Sequence, residues 1–208
     1  MARYTGPRLK IIKKFGELPG LTKKIKKKDL KKKGSFLNDK RKPKASAYKI
    51  RLNEKQKLRY NYGVTESQLL RYVKEARRKK GLTGFLLMQL LEMRLDNIIF
   101  RLNLASTIPA ARQLVSHGHV FVNNKKVNIP SFQCRPNDFI TFSTKQQTVN
   151  LLNLNLSQSK ISNINEQSNH LEFEQKSLTG KVKSLVERKD LRFKINDMLV
   201  IEYYSRLS

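Results

Sequence analysis

Arg112, His117, His119, Asn123, Lys125 and Lys126 fall in one short stretch, and the chemistry they share is contact with anions. None has a nucleophile beside it at a spacing that would activate it, and the chain has no phosphate loop of the Gly-Lys-Ser/Thr type. What these positions can build is a track. A helix with Arg112 and Ser116 on its outer side runs through Gly118 into a hairpin bearing the other side chains. Folded RNA is recognised by shape and phosphate more than by base edges, and a curved basic surface suits it.

The elements needed to position this track are legible nearby. Thr107 is a helix cap, Pro109 fits the first turn, and Ile108, Ala111, Leu114 and Val115 form the inward stripe as far as His117. Gly118 ends that helix. His119–Val122, a turn at Asn123-Asn124, and Lys125–Ile129 read as a β-hairpin, followed by a strand at Phe139–Phe142. Upstream, 48–62 reads as a helix with Ile50, Leu58 and Tyr62 inward and Lys49, Lys55, Lys57 and Arg59 mostly outside. Thr65-Glu66-Ser67-Gln68 is a capping box opening a second helix, which closes in Arg77-Arg78-Lys79-Lys80-Gly81. Four cations exceed what the helix dipole needs, so that cluster points to phosphate. From Thr83 or Gly84 to about Leu102, nearly continuous apolar residues predict one buried helix. On it Arg94, Asn97 and Arg101 share a face, with Asp96 roughly opposite beside Gln89 and Glu92.

Composition bounds the partner. The 208 residues hold 44 Lys and Arg against 16 Asp and Glu, a net charge of +28, and half of the excess lies in residues 1–44. Self-repulsion of that size implies a polyanionic partner. Residues 1–44 are a basic arm with too few apolar residues to pack alone, expected to thread against phosphate. The single cysteine, Cys134, excludes an internal disulfide, and the histidines His117, His119 and His170 are too scattered to build a tetrahedral zinc set with it. No cofactor, metal or catalytic constellation is expected. No apolar run spans a bilayer and no signal peptide opens the chain, so no membrane partner is expected. Heavy use of Lys, Asn and Ile hints at an AT-rich organellar or bacterial genome. Residues 146–180, polar and without a clear period, read as a loop. Leu191–Ile195 and Leu199–Tyr204 read as two strands or a strand and an extended tail. Tyr48, Tyr60, Tyr62 and Tyr72 could stack on bases but read more simply as core or groove filler.

Several separated motifs now stand in order: Arg3-Tyr4-Thr5-Gly6-Pro7-Arg8, Glu54–Arg59, Leu90–Leu102, Ala110–His119 with its hairpin, and Glu202–Arg206. Together they resemble the ribosomal protein four family of the small subunit, most like its chloroplast-encoded members. The resemblance implies an α+β fold in which a mostly helical first domain carries an inserted small αβ RNA-binding module, a helix pair plus β-hairpin. It divides the chain into a 1–44 arm, a helical domain at 45–91 completed by 186–208, a module at 92–145, and a variable insertion or loop at 146–185. It implies a structural constituent of the small ribosomal subunit that binds small-subunit ribosomal RNA, nucleates assembly of the body and contributes to translational accuracy. Messenger RNA lies close by, and ribosomal proteins five and twelve are the implied neighbours. A chloroplast stromal ribosome is the expected location, ahead of a bacterial cytoplasm, with no homo-oligomer. Two departures stand out: Asn123-Asn124 replaces the frequent Asn-Gly turn, and the zinc-binding cysteines that many bacterial members carry near the N-terminus are missing.

The expected RNA contacts are Arg3, Arg8 and Lys10 in the arm; Lys49, Lys55, Lys57, Arg59, Arg71, Lys74, Arg77 and Arg78 in the helical domain; Arg94, Asn97, Arg101, Arg112, His117, His119, Asn123, Lys125 and Lys126 in the module; and Arg206 at the end. Arg41, Lys42 and Lys44 are assigned by resemblance to the messenger entrance. Arg112→Glu is expected to weaken RNA binding without unfolding the domain. The rival reading, a pseudouridine synthase using Arg94-Leu95-Asp96, fails because Asn97-Ile98-Ile99-Phe100 continues a helix where that family's catalytic loop belongs. A free RNA chaperone is the other rival, and the long basic arm argues against it.

Overall fold

The computed structural model describes residues 4–22, 46–161, 169–174, 177–191, 193 and 195–206. The expectations for Arg3, Arg41, Lys42 and Lys44 lie outside the described residues. Among those described, α1 spans Arg8–Phe15, α2 Ala47–Tyr62, α3 Glu66–Arg78, α4 Thr83–Glu92, α5 Leu95–Arg101 and α6 Ile108–Ser116. Strands β1 (Val120–Val122), β2 (Lys125–Lys126) and β3 (Phe139–Phe142) follow. Then come α7 (Gln146–Ile161), β4 (Leu171–Glu174), β5 (Thr179–Val182) and α8 (Asp197–Ser205). The architecture is α+β.

Local chemistry explains the first helices. Ser46 caps α2 by accepting from the Lys49 N–H, and Gly63 ends it at φ 60, a left-handed stop that glycine takes without strain. Thr65 and Gln68 form both halves of the capping box. Leu69, Val73 and Ala76 of α3 then face Leu87 and Leu91 of α4 in one core, which Val200, Tyr203 and Tyr204 of α8 complete. The chain's last described helix therefore packs on its first long ones.

The single helix expected from Thr83 to about Leu102 is two helices. Arg94 between them is extended (φ −73, ψ 140). The break is satisfied from outside: Leu95 N donates to Phe132 O at 2.9 Å, Asp96 N to Pro130 O at 3.2 Å, and Cys134 N to Met93 O at 2.9 Å. The Asn97 side chain donates to the Glu92 carbonyl at the end of α4. Backbone groups freed by the break thus find partners in the 130–134 loop and in Asn97, so the break can persist in a buried place. Apolar residues continue on both sides of it, which is why their pattern did not mark it.

A second core joins α5 and α6 to the sheet through Leu95, Ile98, Ile99, Ala111, Val115, Val120, Val122, Ile140 and Val182. The sheet has five antiparallel strands in the order β2-β1-β3-β5-β4. Asn123 and Asn124 both take positive φ (49 and 62), as a two-residue primed turn needs, and Val122 pairs with Lys125 across it.

Two expectations about the later chain are corrected. Residues 146–180 are not simply a loop: α7 buries Leu152 in the second core, and β5 pairs with β3. Gly180 permits this pairing, because a Cβ there would lie 2.6 Å from Leu102 Cδ1. Leu199–Tyr204 is not a strand but the body of α8, capped by Asn196 accepting from Leu199 N. Val200, Tyr203 and Tyr204 are buried at helical spacing, and that tertiary contact overrides the β-preference of their types. Leu191, Phe193 and Ile195 precede the helix outside any strand and pack on the first core.

Part of the basic arm is docked. Ile11, Leu18 and Leu21 form a small cluster against Phe15, Tyr60 and Phe193. Gly20 N donates to Asn61 Oδ1 at 3.0 Å, and Ile108 N donates to Gly20 O at 2.9 Å, so the segment is clamped between α2 and α6. Among the described residues no helix is long and apolar enough to cross a membrane, and no group of His, Cys, Asp or Glu could hold a metal ion. Cys134 is buried, and desolvation pushes its thiol well above the ordinary value.

Candidate nucleic-acid interface

The break between α4 and α5 creates a buried polar network, and several expected RNA contacts belong to it instead. Arg94 donates to both oxygens of Asp96 (3.1 and 2.8 Å) and to the Tyr72 hydroxyl at 2.6 Å. Arg112 Nε donates to Asp96 Oδ2 at 2.7 Å. Its other guanidinium nitrogens donate to the Gly63 carbonyl and, at 3.0 Å, to the Tyr62 carbonyl. Arg101 grips Glu92 at 3.0 and 2.5 Å, while Asn97 and the Tyr62 hydroxyl donate to the same carboxylate. Burial alone would raise the Glu92 carboxyl, but the Arg101 guanidinium and the surrounding donors outweigh it and hold the carboxyl below the usual range. Burial would likewise lower Arg94, and the Asp96 charge reverses the sign. Tyr62 is pushed well above its ordinary value, first by burial and then by the Glu92 charge.

Outward placement is therefore corrected for five residues. Arg94, Asn97 and Arg101 are buried and internally satisfied. The Arg112 side chain is only 20% exposed and is spent on Asp96 and the end of α2. Lys55 is buried, its Nζ 2.8 Å from Glu66 and 4.4 Å from the Tyr203 ring centroid. Ile50, expected inward, is instead exposed. Arg94 and Arg101 are captured by nearby carboxylates, Asp96 and Glu92, across the break between α4 and α5, whereas Arg112 and Lys55 meet groups of distant segments, the carbonyls ending α2 and the Tyr203 ring.

The remaining expected positions lie at the surface. Arg8, Lys10, Lys49, Arg71, Lys74, Arg77, Arg78, His117, Asn123, Lys125, Lys126 and Arg206 are exposed. Lys57 is half-buried and paired with Glu54, and Arg59 is half-buried over the Tyr60 ring at 4.7 Å. His119 is half-buried, with Nδ1 3.1 Å from Thr148 Oγ1. Among the described residues Arg71, Lys74, Arg77 and Arg78 make no ion pair, and they fall along the solvent side of α3. Asn123, although exposed, locks its own turn: its side chain donates to Asp138 and accepts from Phe139 N, each at 2.9 Å.

Gly118 takes φ 72, a left-handed conformation that suits glycine. It reverses the chain after α6, and the stem of the exposed Lys126 side chain lies beside it. Beside this junction, α6 and α7 flank an open cleft of about 260 Å³ lined by Gln113, Leu114, His117, His119, Leu151 and Asn155, among others. Sequence reasoning passed over further exposed cations: Lys14, Arg135, Lys145, Lys183, Arg188 and Lys189. Lys79 and Lys80, read with Arg77 and Arg78 as a cluster pointing to phosphate, are also exposed, and the cations passed over belong to none of the motifs that carried the reading.

A helical unit followed by an αβ unit whose hairpin projects asparagine and lysine is the shape of an S4-domain protein. Residues 93–140 match the family described as S4 domain, and residues 3–92 match that described as Ribosomal protein S4/S9 N-terminal domain. The chain is 54% identical over 206 residues to the small ribosomal subunit protein uS4c of Chaetosphaeridium globosum, covering 99% of both chains. It is 51% identical over 206 residues to the uS4 protein of Thermosynechococcus vestitus, again with 99% of each chain covered. To the uS4c protein of Cyanophora paradoxa it is 50% identical, over 99% of this chain and 100% of that one. The chain belongs to the small ribosomal subunit protein uS4 family.

Proposed function

We propose that this chain is a structural constituent of the small ribosomal subunit and binds that subunit's ribosomal RNA. The observation that carries the reading is the full-length similarity to uS4 proteins, joined to cations on α3 that no carboxylate neutralises among the described residues. The mechanism is passive. Lysine and arginine replace counterions along the RNA backbone, and rigid elements fix the register. Arg71, Lys74, Arg77 and Arg78 supply one contact face; His117, Lys125 and Lys126 at the helix–hairpin junction supply the other. Arg8, Lys10, Lys49 and Arg206 extend them. Arg94, Arg101, Arg112 and Lys55 hold the faces in place from inside.

The finer reading divides the chain into a basic arm, a helical domain closed by the C-terminal helix, and an RNA-binding module extended by α7, β4 and β5. Its place is the ribosome of the chloroplast stroma, as relatives of both uS4c and cyanobacterial uS4 type suggest. There it nucleates assembly of the subunit body and influences decoding accuracy beside the messenger path, with ribosomal proteins five and twelve as neighbours. Hydroxyl-radical footprinting of the protein-free small-subunit RNA tests this. One compact set of protected backbone positions is expected on adding the chain alone; scattered or absent protection would contradict primary binding.

A further inference from the structure

The two faces of the five-stranded sheet differ. Val120, Val122, Ile140, Leu171 and Val182 point into the core. The opposite face carries Phe121 and Phe139. Register places them together: Phe121 pairs with Thr141, which is two residues along the same strand from Phe139. Phe139 is 50% exposed, so its ring is open to a partner. Cations bracket these rings. Lys181 pairs with Phe139 in register, its Nζ 5.3 Å from the ring centroid, and Lys126 pairs with Phe121. The acid on this face lies on the outer strand β4, where Glu172 pairs in register with Lys181 and is itself held by Lys183 at 2.5 Å.

We propose that this outer face is a stacking platform for an unpaired RNA base, with Phe139 as the ring it stacks on and Lys181 and Lys126 as contacts to the flanking phosphates. This inference rests on the ribosomal reading and deepens it. The occupant is RNA because the rings lie among lysines and continue directly from the hairpin that presents Lys125 and Lys126. An aromatic ring offers every base a π-face, and lysines beside it track the backbone; sheet faces with that combination bind single-stranded RNA. The acidic β4 edge bounds the platform and directs the strand towards β1 and β2.

The test is titration of the full chain with small-subunit ribosomal RNA across a salt series, comparing the wild type with F139L, F139W and K181Q. Stacking releases no counterion, whereas a phosphate contact does. F139L should weaken binding about tenfold at every salt concentration with an unchanged salt slope, and F139W should stay within roughly twofold of wild type. K181Q should lower the slope by about one. Because Phe139 is half exposed and the inner face is untouched, F139L should keep the wild-type circular dichroism spectrum. F139L binding within about twofold of wild type, or losing affinity only through the slope, would overturn the proposal. A wild-type chain with no preference for this RNA would contradict the ribosomal reading and the platform together, a result distinct from a silent F139L.

Discussion

Arg112 on α6 donates to Asp96 Oδ2 at 2.7 Å, the same oxygen that Arg94 holds at 2.8 Å. One buried carboxylate thus joins two arginines, and Arg112 carries the link on to the carbonyls that end α2. The network fastens the helix–hairpin unit to the helical one. Arg112→Glu, expected from the sequence to spare the fold, instead sets a carboxylate against Asp96. The structure predicts that both R112E and D96N lower the thermal midpoint, D96N by stranding two guanidinium groups at a cost of about 3–5 kcal/mol. Thermal unfolding followed by circular dichroism checks this; a wild-type midpoint for D96N would refute the network's role.

Acid should loosen the same region. The Glu92 carboxyl is held below its ordinary value of 4.5 in the folded chain. Its contribution is therefore present above the unfolded pKa and is lost as pH falls through the folded one. Tyr62, raised above 10.0, works at the other end: its contribution is present below that value and is lost as pH climbs towards the folded pKa. Stability measured by urea melts should fall on the acid side below about pH 4.5 and on the alkaline side above about pH 10. E92Q should flatten the acid limb, and Y62F the alkaline one.

The docked part of the arm depends on one close approach. A Cβ at Gly20 would lie 2.4 Å from the Asn61 carbonyl oxygen, a backbone atom that cannot swing aside. Gly20→Ala should release residues 4–22 from α2 and α6 while the two main cores persist. Limited proteolysis is the readout: faster cleavage within this segment, with the remainder resistant, is expected.

How far these features could be read in advance depended on whether their causes were local. The Thr65–Gln68 capping box, the Gly118 stop and the Asn123-Asn124 turn were legible because each is settled by a few neighbouring residues. The break at Arg94 was not, and most of the misassigned sites follow from it. In one continuous helix Glu92 and Arg101 would lie about half a turn apart around the axis, and Arg94 and Asp96 would diverge. Extended backbone at Arg94 reorients α5 so that both pairs close. The α8 helix was missed because Val, Ile and Tyr favour strands until Leu58 and Tyr62 offer them a helical packing face. Exposed cations on α3 were legible because no partner had to be known.

That surface cluster should act on RNA alone. Replacing Arg77 and Arg78 together with Gln should lower the salt slope of RNA binding by about two. The same double change should alter stability by no more than about 0.5 kcal/mol, since both side chains are exposed. A lowered melting point with an unchanged slope would assign them to the fold instead.

The account stands or falls on RNA preference. The direct measurement is affinity of the full chain for small-subunit ribosomal RNA against an unrelated folded RNA of equal length, across a salt series. A preference that persists at high salt is predicted, because fixed elements then recognise one RNA shape. Equal affinities that vanish together as salt rises would contradict the account and leave only the net charge of +28 at work.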